Sequence, residues 1–301
     1  MCYSSKENKK FIFGKIKTIY IPYIVLSIIS IIIYFFMGRF IKEGLNTNIF
    51  YNLAGMIYAN PNLENMQWNQ PLWFLPCLMI QLIIINIIEN IIKNNKSKQK
   101  IRVLIIVVTV IIGFILCNFK IYLPLQFEAA LCMTIFTYLG IFLKENKTKI
   151  ENNNLYKHLI SKKIVTVLFI FVTIILSCIL DNCNTTVSVM HDKYGNYLLF
   201  FAVSIVMIIN VLLISELIDK IFKKQKIISY IGQSTLLILL LHKFPILFFQ
   251  EICPIIKNVL NRDDTITNNM LAIVISIIVI LMCMICKYII DIIKKQIKIG
   301  V

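Results

Sequence analysis

The chain has 301 residues, 58% of them hydrophobic and 15% charged, with a mean hydropathy of +0.80. A soluble domain averages roughly 45–50% apolar and about 25% charged residues. An ordinary soluble globule is therefore excluded, as is disorder, which needs low hydrophobicity. The formal net charge of +16 would point to nucleic acid in a soluble protein, so its distribution along the chain decides its meaning.

A membrane helix needs roughly 20 apolar residues to cross about 30 Å of hydrocarbon. Eight segments qualify: 19–37, 71–92, 103–121, 124–143, 163–181, 197–218, 228–250 and 269–292. The first is preceded by a basic stretch, is too long for a leader and lacks a small-residue cleavage site, so it reads as an uncleaved span. The third and fourth are joined by almost nothing, which makes Leu123-Pro124 a tight hairpin turn, with proline at a first turn where its missing N–H costs little. Pro245 should bend or end the seventh helix near Phe244, leaving Ile246-Leu-Phe-Phe to lie in the interface plane.

Lysine and arginine collect on cytoplasmic loops. Twenty-three cations fall in 1–18, 93–102, 144–163, 219–227 and the tail, and six fall in the intervening loops. Only Lys243 and Lys287 fall inside spans. This alternation predicts an all-α polytopic helix bundle of about eight spans, a single membrane domain over 1–301, with both termini in the cytoplasm. It also accounts for the basic excess without nucleic acid; membrane lipid is the partner such loops meet.

Nine cysteines in a chain this long are not a disulfide scaffold. Most sit in apolar runs, among them Cys77, Cys117, Cys132, Cys178, Cys283 and Cys286, and read as buried small hydrophobes. The CxxC at Cys283–Cys286 has no second Cys or His pair nearby. Three dispersed histidines supply no ligand spacing, so no metal is expected. No dinucleotide, Walker or nucleophile-elbow motif is present.

Ionisable groups inside a bilayer are costly, so each is a candidate site. Glu128 lies five residues into the fourth span, about 7 Å down at about 1.5 Å per residue. His242 and Lys243 end the seventh span, and Trp73 begins the second, after Trp68, Asn69 and Gln70. Glu128, His242 and Trp73 thus come from three spans and share the outer half of the membrane. Each also has an ordinary reading: interfacial aromatic, snorkelling lysine, or interhelical hydrogen bonder. Glu89, Asn210 and Glu216 share the inner half, where the two carboxylates lie one turn from basic loops and read as solvated or paired.

Five segments, in order, resemble the acyltransferase 3 family, in its fucose 4-O-acetylase-like branch. Lys15-Ile-Lys17-Thr-Ile-Tyr-Ile-Pro22-Tyr23 resembles the basic lead-in to a span. Pro71-Leu-Trp-Phe-Leu-Pro76 resembles the "LWFLPxLF" opening of another. Leu123-Pro124 through Glu128, ending Phe136-Thr-Tyr-Leu-Gly140, resembles "LPxxxDxAL…FxxLG". Tyr194-Gly195-Asn196 resembles the next outer loop, and Ile228-Ser-Tyr-Ile-Gly232 through His242 resembles "LSYIGKNSLxILALH".

The resemblance implies an integral membrane O-acyltransferase of the plasma membrane. It would move an acyl group from cytoplasmic acyl-CoA, usually acetyl-CoA, to a hydroxyl of a cell-surface glycan or lipid-linked sugar, with acyl-CoA as co-substrate and no bound cofactor. It places Lys15 and Lys17 against CoA phosphates, Trp73 against the sugar, and Glu128 with His242 on its hydroxyls. It also implies two further spans ahead of the Lys15 segment, the first carrying a catalytic histidine; none of the chain's three histidines stands there. Glu128 and His242 are the remaining catalytic candidates, because acyl transfer needs a base with a pKa near operating pH. A non-catalytic membrane protein or partner subunit, and a transporter or flippase of lipid-linked sugar, are the alternative readings.

Overall fold

The computed structural model describes residues 8–37, 48–95, 97–222, 226–247 and 265–299. Among these the regular structure is helical, and the lone β-type contact is a Ser188–Lys193 bridge. We number the helices in chain order. They are α1 (Asn8–Lys15), α2 (Ile21–Met37), α3 (Ile49–Tyr58), α4 (Phe74–Ile92), α5 (Lys98–Asn118), α6 (Phe127–Glu145), α7 (Lys147–Asn152), α8 (Asn154–Ser161), α9 (Lys163–Asn182), α10 (Tyr197–Ile221), α11 (Lys226–Leu241), α12 (Lys243–Leu247) and α13 (Thr265–Ile299). A π-helical turn, Ile16–Tyr20, leads from α1 into α2.

Among the described residues, seven helical stretches are long and apolar enough to cross a membrane, which makes the chain a multi-pass membrane protein. The expected seventh span, 228–250, is the exception. Its apolar helix covers only Ile227–Leu241, about 22 Å at 1.5 Å per residue. Pro245 has no N–H to give the carbonyl of Leu241 one turn back, so the helix stops there, three residues before the expected end at Phe244. Of the expected interfacial stretch, Phe248 and Phe249 lie outside the described residues.

The chain forms two compact units. The first comprises Met1–Pro22, Ile57–Asn65 and Trp73–Lys224, and the second Tyr23–Met56, Met66–Leu72 and Gln225–Val301. In the first, α5 and α6 form the expected hairpin. The buried residues of α5 are Arg102, Ile106, Thr109, Gly113 and Cys117, spaced by three or four, which is one face of a helix. Its opposite face exposes Val103, Leu104, Val107, Val108, Ile111, Ile112 and Ile115, as a lipid-facing surface does.

Without a hydrophobic drive between helices in lipid, small residues and close packing hold them together. Gly113 is the contact point: a Cβ there would stand 2.7 Å from Leu131 Cβ and 2.8 Å from the Cys132 backbone nitrogen. Helix α4 is the most enclosed, and its Ile85, Ile88 and Ile92 pack with Ile106 and Tyr138. Helices α9 and α10 pair through a Thr173 Oγ1 bond of 2.8 Å to Asn210 Oδ1.

In the second unit, α11 packs on α13. There Lys287 Nζ donates to Ser234 Oγ at 3.0 Å and sits 4.2 Å from the Tyr230 ring centroid, so this membrane-embedded cation is neither exposed nor bare.

Candidate functional site

At one end of the first unit, three loops meet around a buried amide. Asn60 caps the short 3-10 turn Pro61–Leu63: its Oδ1 accepts from Asn62 N at 3.1 Å and from Gln126 Nε2 at 3.2 Å. Its Nδ2 donates to Leu123 O at 3.1 Å and to Glu128 Oε1 at 2.6 Å. One side chain thus ties the 59–65 loop to the α5–α6 hairpin. Glu128 takes a second bond on Oε2 from Leu123 N at 3.0 Å. Its carboxylate lies in the first turn of α6, among N–H groups and at the positive end of the helix dipole.

The third loop, 183–196, brings a residue that the sequence reading passed over. Asp192 lies beside Glu128, so the two carboxyls interact directly. Asn62 Nδ2 donates to Asp192 Oδ2 at 2.6 Å, and the Cys117 thiol to Oδ1 at 3.6 Å. Burial first, and then the neighbouring Glu128 carboxylate, push the Asp192 carboxyl up from 3.8 to about 7. Gln126, fully buried, gives Nε2 to Met190 O at 3.1 Å, while its Oε1 has no hydrogen-bond partner. Six non-glycine residues among those described adopt positive φ: Ala59, Glu64, Lys120, Leu125, Gln126 and Asp192. All six lie in these loops. Left-handed backbone costs roughly 1–2 kcal/mol per residue, and such strain gathers where geometry matters more than comfort.

Beneath the carboxyl pair lies a layer of thiols and phenols. Cys117 Sγ is 3.9 Å from Cys132 Sγ, which is 3.9 Å from Tyr197 Oη. Tyr194 is 1% exposed and packs with both cysteines, and its ring lies 4.8 Å from that of Tyr197. Burial pushes the Tyr194 phenol well above its ordinary range.

The motif Tyr194-Gly195-Asn196 has a separate task for each residue. Tyr194 fills this layer. Gly195 has φ +62, and a Cβ there would fall on the Asn184 and Thr185 side chains. Asn196 caps α10, its Oδ1 accepting from Leu198 N at 3.0 Å and Leu199 N at 3.3 Å.

The other expected site residues divide between the units. Trp73 packs against Cys77, Ala129 and Ala130, so it lies beside the turn that carries Glu128. Lys15 sits 5.1 Å from the Phe11 ring centroid, and Lys17 is exposed, both in the first unit. His242 belongs to the second unit. Its Nδ1 stands 3.0 Å from Ile238 O and 2.9 Å from Leu239 O; both are acceptors, so Nδ1 is the donor. Lys243 does not snorkel: its Nζ donates to Gln67 O at 2.7 Å. Trp68, in the same unit, is fully buried rather than interfacial. Buried Asn69 Nδ2 donates there to Ser30 Oγ at 3.2 Å and Leu240 O at 3.1 Å.

The opposite end of the first unit holds a second buried polar group. Arg102 meets Glu89 through Nε at 2.7 Å and Nη2 at 2.9 Å, and Glu145 through Nη1 at 2.8 Å. Lys98 adds 3.2 Å to Glu89, and Tyr138 Oη donates to Glu89 at 3.1 Å. Two cations and two carboxylates balance. Glu216 accepts from the Tyr156 hydroxyl, whose pKa burial and that carboxylate push up. Among the described residues no cluster of three or more His, Cys, Asp or Glu side chains could hold a metal ion.

Comparison with curated proteins and with solved structures returned no match. A family model described as an acyltransferase domain, of the acyltransferase 3 type, matches residues 3–289. That region takes in all but the last three residues of the seven spans found among the described residues, with the α5–α6 hairpin and the Asp192 loop, and with it the chain belongs to the acyltransferase 3 family of membrane acyltransferases.

Proposed function

We propose that the chain is an O-acyltransferase of the plasma membrane. It takes an acyl group, acetyl in the simplest case, from cytoplasmic acyl-CoA and delivers it to a hydroxyl of a cell-surface glycan or lipid-linked sugar. The observation that carries this reading is the carboxyl pair. Asp192, with a pKa of about 7, is matched to neutral pH as a general base. It is partly exposed, whereas Glu128 beneath it is fully buried.

In the transfer, Asp192 accepts the proton of the attacking hydroxyl as its oxygen bonds to the thioester carbonyl carbon. Collapse of the tetrahedral adduct breaks the carbon–sulfur bond, and the proton passes to the departing CoA thiolate. Glu128 holds Asp192 in place through their direct interaction, and Trp73 offers an aromatic face to the sugar ring. Lys15 and Lys17, ahead of the first span, face the CoA phosphates from the cytoplasmic side.

The test incubates membranes containing the chain with labelled acetyl-CoA and extracts the glycans. Label is expected in glycan with the parent chain and is expected to fall at least about 100-fold in D192N, which keeps the shape but not the base. Full labelling by D192N would overturn the role of Asp192. Absence of label with the parent chain across acyl-CoA donors would overturn the activity.

A further inference from the structure

The three thiols beside the carboxyl pair have no part in that chemistry. Cys77 and Cys132 are almost entirely buried, and Cys117 is 5% exposed. Two of them, Cys117 on α5 and Cys132 on α6, stand 3.9 Å apart at sulfur. The helices are already as close as they can be, since Gly113, one turn before Cys117, would place even a Cβ 2.9 Å from Cys132 Sγ. Lys120 holds the end of α5 in place: in the left-handed conformation, it closes the helix with its N–H on Cys117 O at 3.0 Å and the Ile121 N–H on Leu116 O at 3.0 Å. A disulfide needs its sulfurs about 2.05 Å apart, so about 2 Å of side-chain rotation across this fixed crossing would close one.

We propose that Cys117 and Cys132 are a redox-active dithiol, a covalent modification site whose closure to a disulfide resets the hydrogen bonding of Asp192. Its regulatory meaning rests on the reading of Asp192 as the working base. The oxidant is a small disulfide. One protein thiolate attacks it and releases one small thiol, and the second protein thiol then displaces the other. One sulfur–sulfur bond forms in the protein, one breaks in the oxidant, and two electrons and two protons leave as two small thiols.

The consequence falls on Asp192. Reduced Cys117 gives it an S–H donor; the disulfide has none. Asp192 then keeps Asn62 as donor and still faces Glu128 from α6, Cys77 from α4, and Tyr194 just ahead of α10. A carboxylate that loses a donor holds its proton more tightly, so oxidation raises the pH at which Asp192 becomes a base.

The purified full chain is treated with dithiodipyridine, alkylated after denaturation and digested with trypsin. Cleavage at Lys120 separates peptide 103–120, with Cys117, from peptide 121–144, with Cys132. The expected product is one linked pair that dithiothreitol splits, with both thiols lost to alkylation together. In C117S and C132S the surviving thiol stays alkylable or carries a single pyridyl group. The pH profile of thermal unfolding is expected to move upward in the oxidised parent and to stay put in oxidised C117S, whose serine keeps a donor. Independent modification of the two thiols, or linkage to Cys77 or Cys183 instead, would overturn the dithiol. Linkage without any change of the pH profile would overturn its effect on Asp192. If labelled glycan forms but no linked pair does, only the dithiol fails; if the pair forms and no acyl donor is used, only the proposed activity fails.

Discussion

Replacing Asp192 by asparagine should stabilise the folded chain at neutral and higher pH, and the gain should vanish in acid. The ordinary carboxyl value is 3.8 and the folded one about 7. At about 1.4 kcal/mol per tenfold change, that difference is about 4 kcal/mol, or about 2 kcal/mol once the partial exposure of Asp192 screens it. The sign follows from proton binding. Below about pH 4 folded and unfolded chains both carry the proton, so the group costs nothing. Between about pH 4 and 7 the folded chain holds a proton that the unfolded chain releases, so stability falls as pH rises; above about 7 the full cost is present and constant.

Asparagine carries no titrating group, keeps an oxygen for the Asn62 donor and can give its own N–H to Glu128. It also tolerates the φ of +54 found at Asp192. Thermal unfolding in detergent at pH 5 and pH 8 measures the effect. The D192N midpoint should exceed the parent by roughly 4 °C at pH 8 and by much less at pH 5, at about 2 °C per kcal/mol for a chain this long. Parallel pH profiles, or a lower D192N midpoint at pH 8, would show that the carboxyl pair does not hold the proton assigned to it.

Two further substitutions probe the frame of the site. Gly113→Ala puts a methyl where Leu131 and Cys132 already stand, and is expected to cost about 1–3 kcal/mol in unfolding midpoint, while Gly14→Ala, with nothing within 4 Å, serves as the unperturbed comparison. Arg102→Met leaves Glu89 buried with only Lys98 and Tyr138 beside it, and should cost about 3–5 kcal/mol; pairing it with Glu89→Gln should recover most of the loss, and a double variant as unstable as the single one would refute the pairing.

Much of the fold was legible because hydropathy and charge alternation act over whole helices, longer than any local irregularity. Leu123-Pro124 announced its turn, and Glu128 announced itself as a carboxylate in an apolar run. Asp192 gave no such signal. It stands in a short polar loop where an aspartate is ordinary, and only folding carries it from solvent to a second carboxyl 64 residues earlier in the chain. A left-handed turn ahead of Tyr194-Gly195-Asn196 is the local cue, and it does not name the partner.

Arg102 was hidden differently. The apolar run begins at Val103, so Arg102 reads as a loop cation, yet α5 starts at Lys98 because helical hydrogen bonding ignores where hydrophobicity begins. The seventh apolar run shows the converse: hydropathy continued to 250, but the backbone bond that Pro245 could not supply ended α11 at Leu241.

The Arg102 cluster also orders events during synthesis. Glu89 leaves the ribosome 13 residues ahead of Arg102, and Glu145 follows Arg102 by 43. A nascent chain that stalls after α4 therefore leaves Glu89 without Arg102 and Tyr138, the partners that the α5–α6 hairpin brings to it. The polar packing of α4 is in this sense a deferred step, completed by the next hairpin after its own hydrophobicity has made it a span.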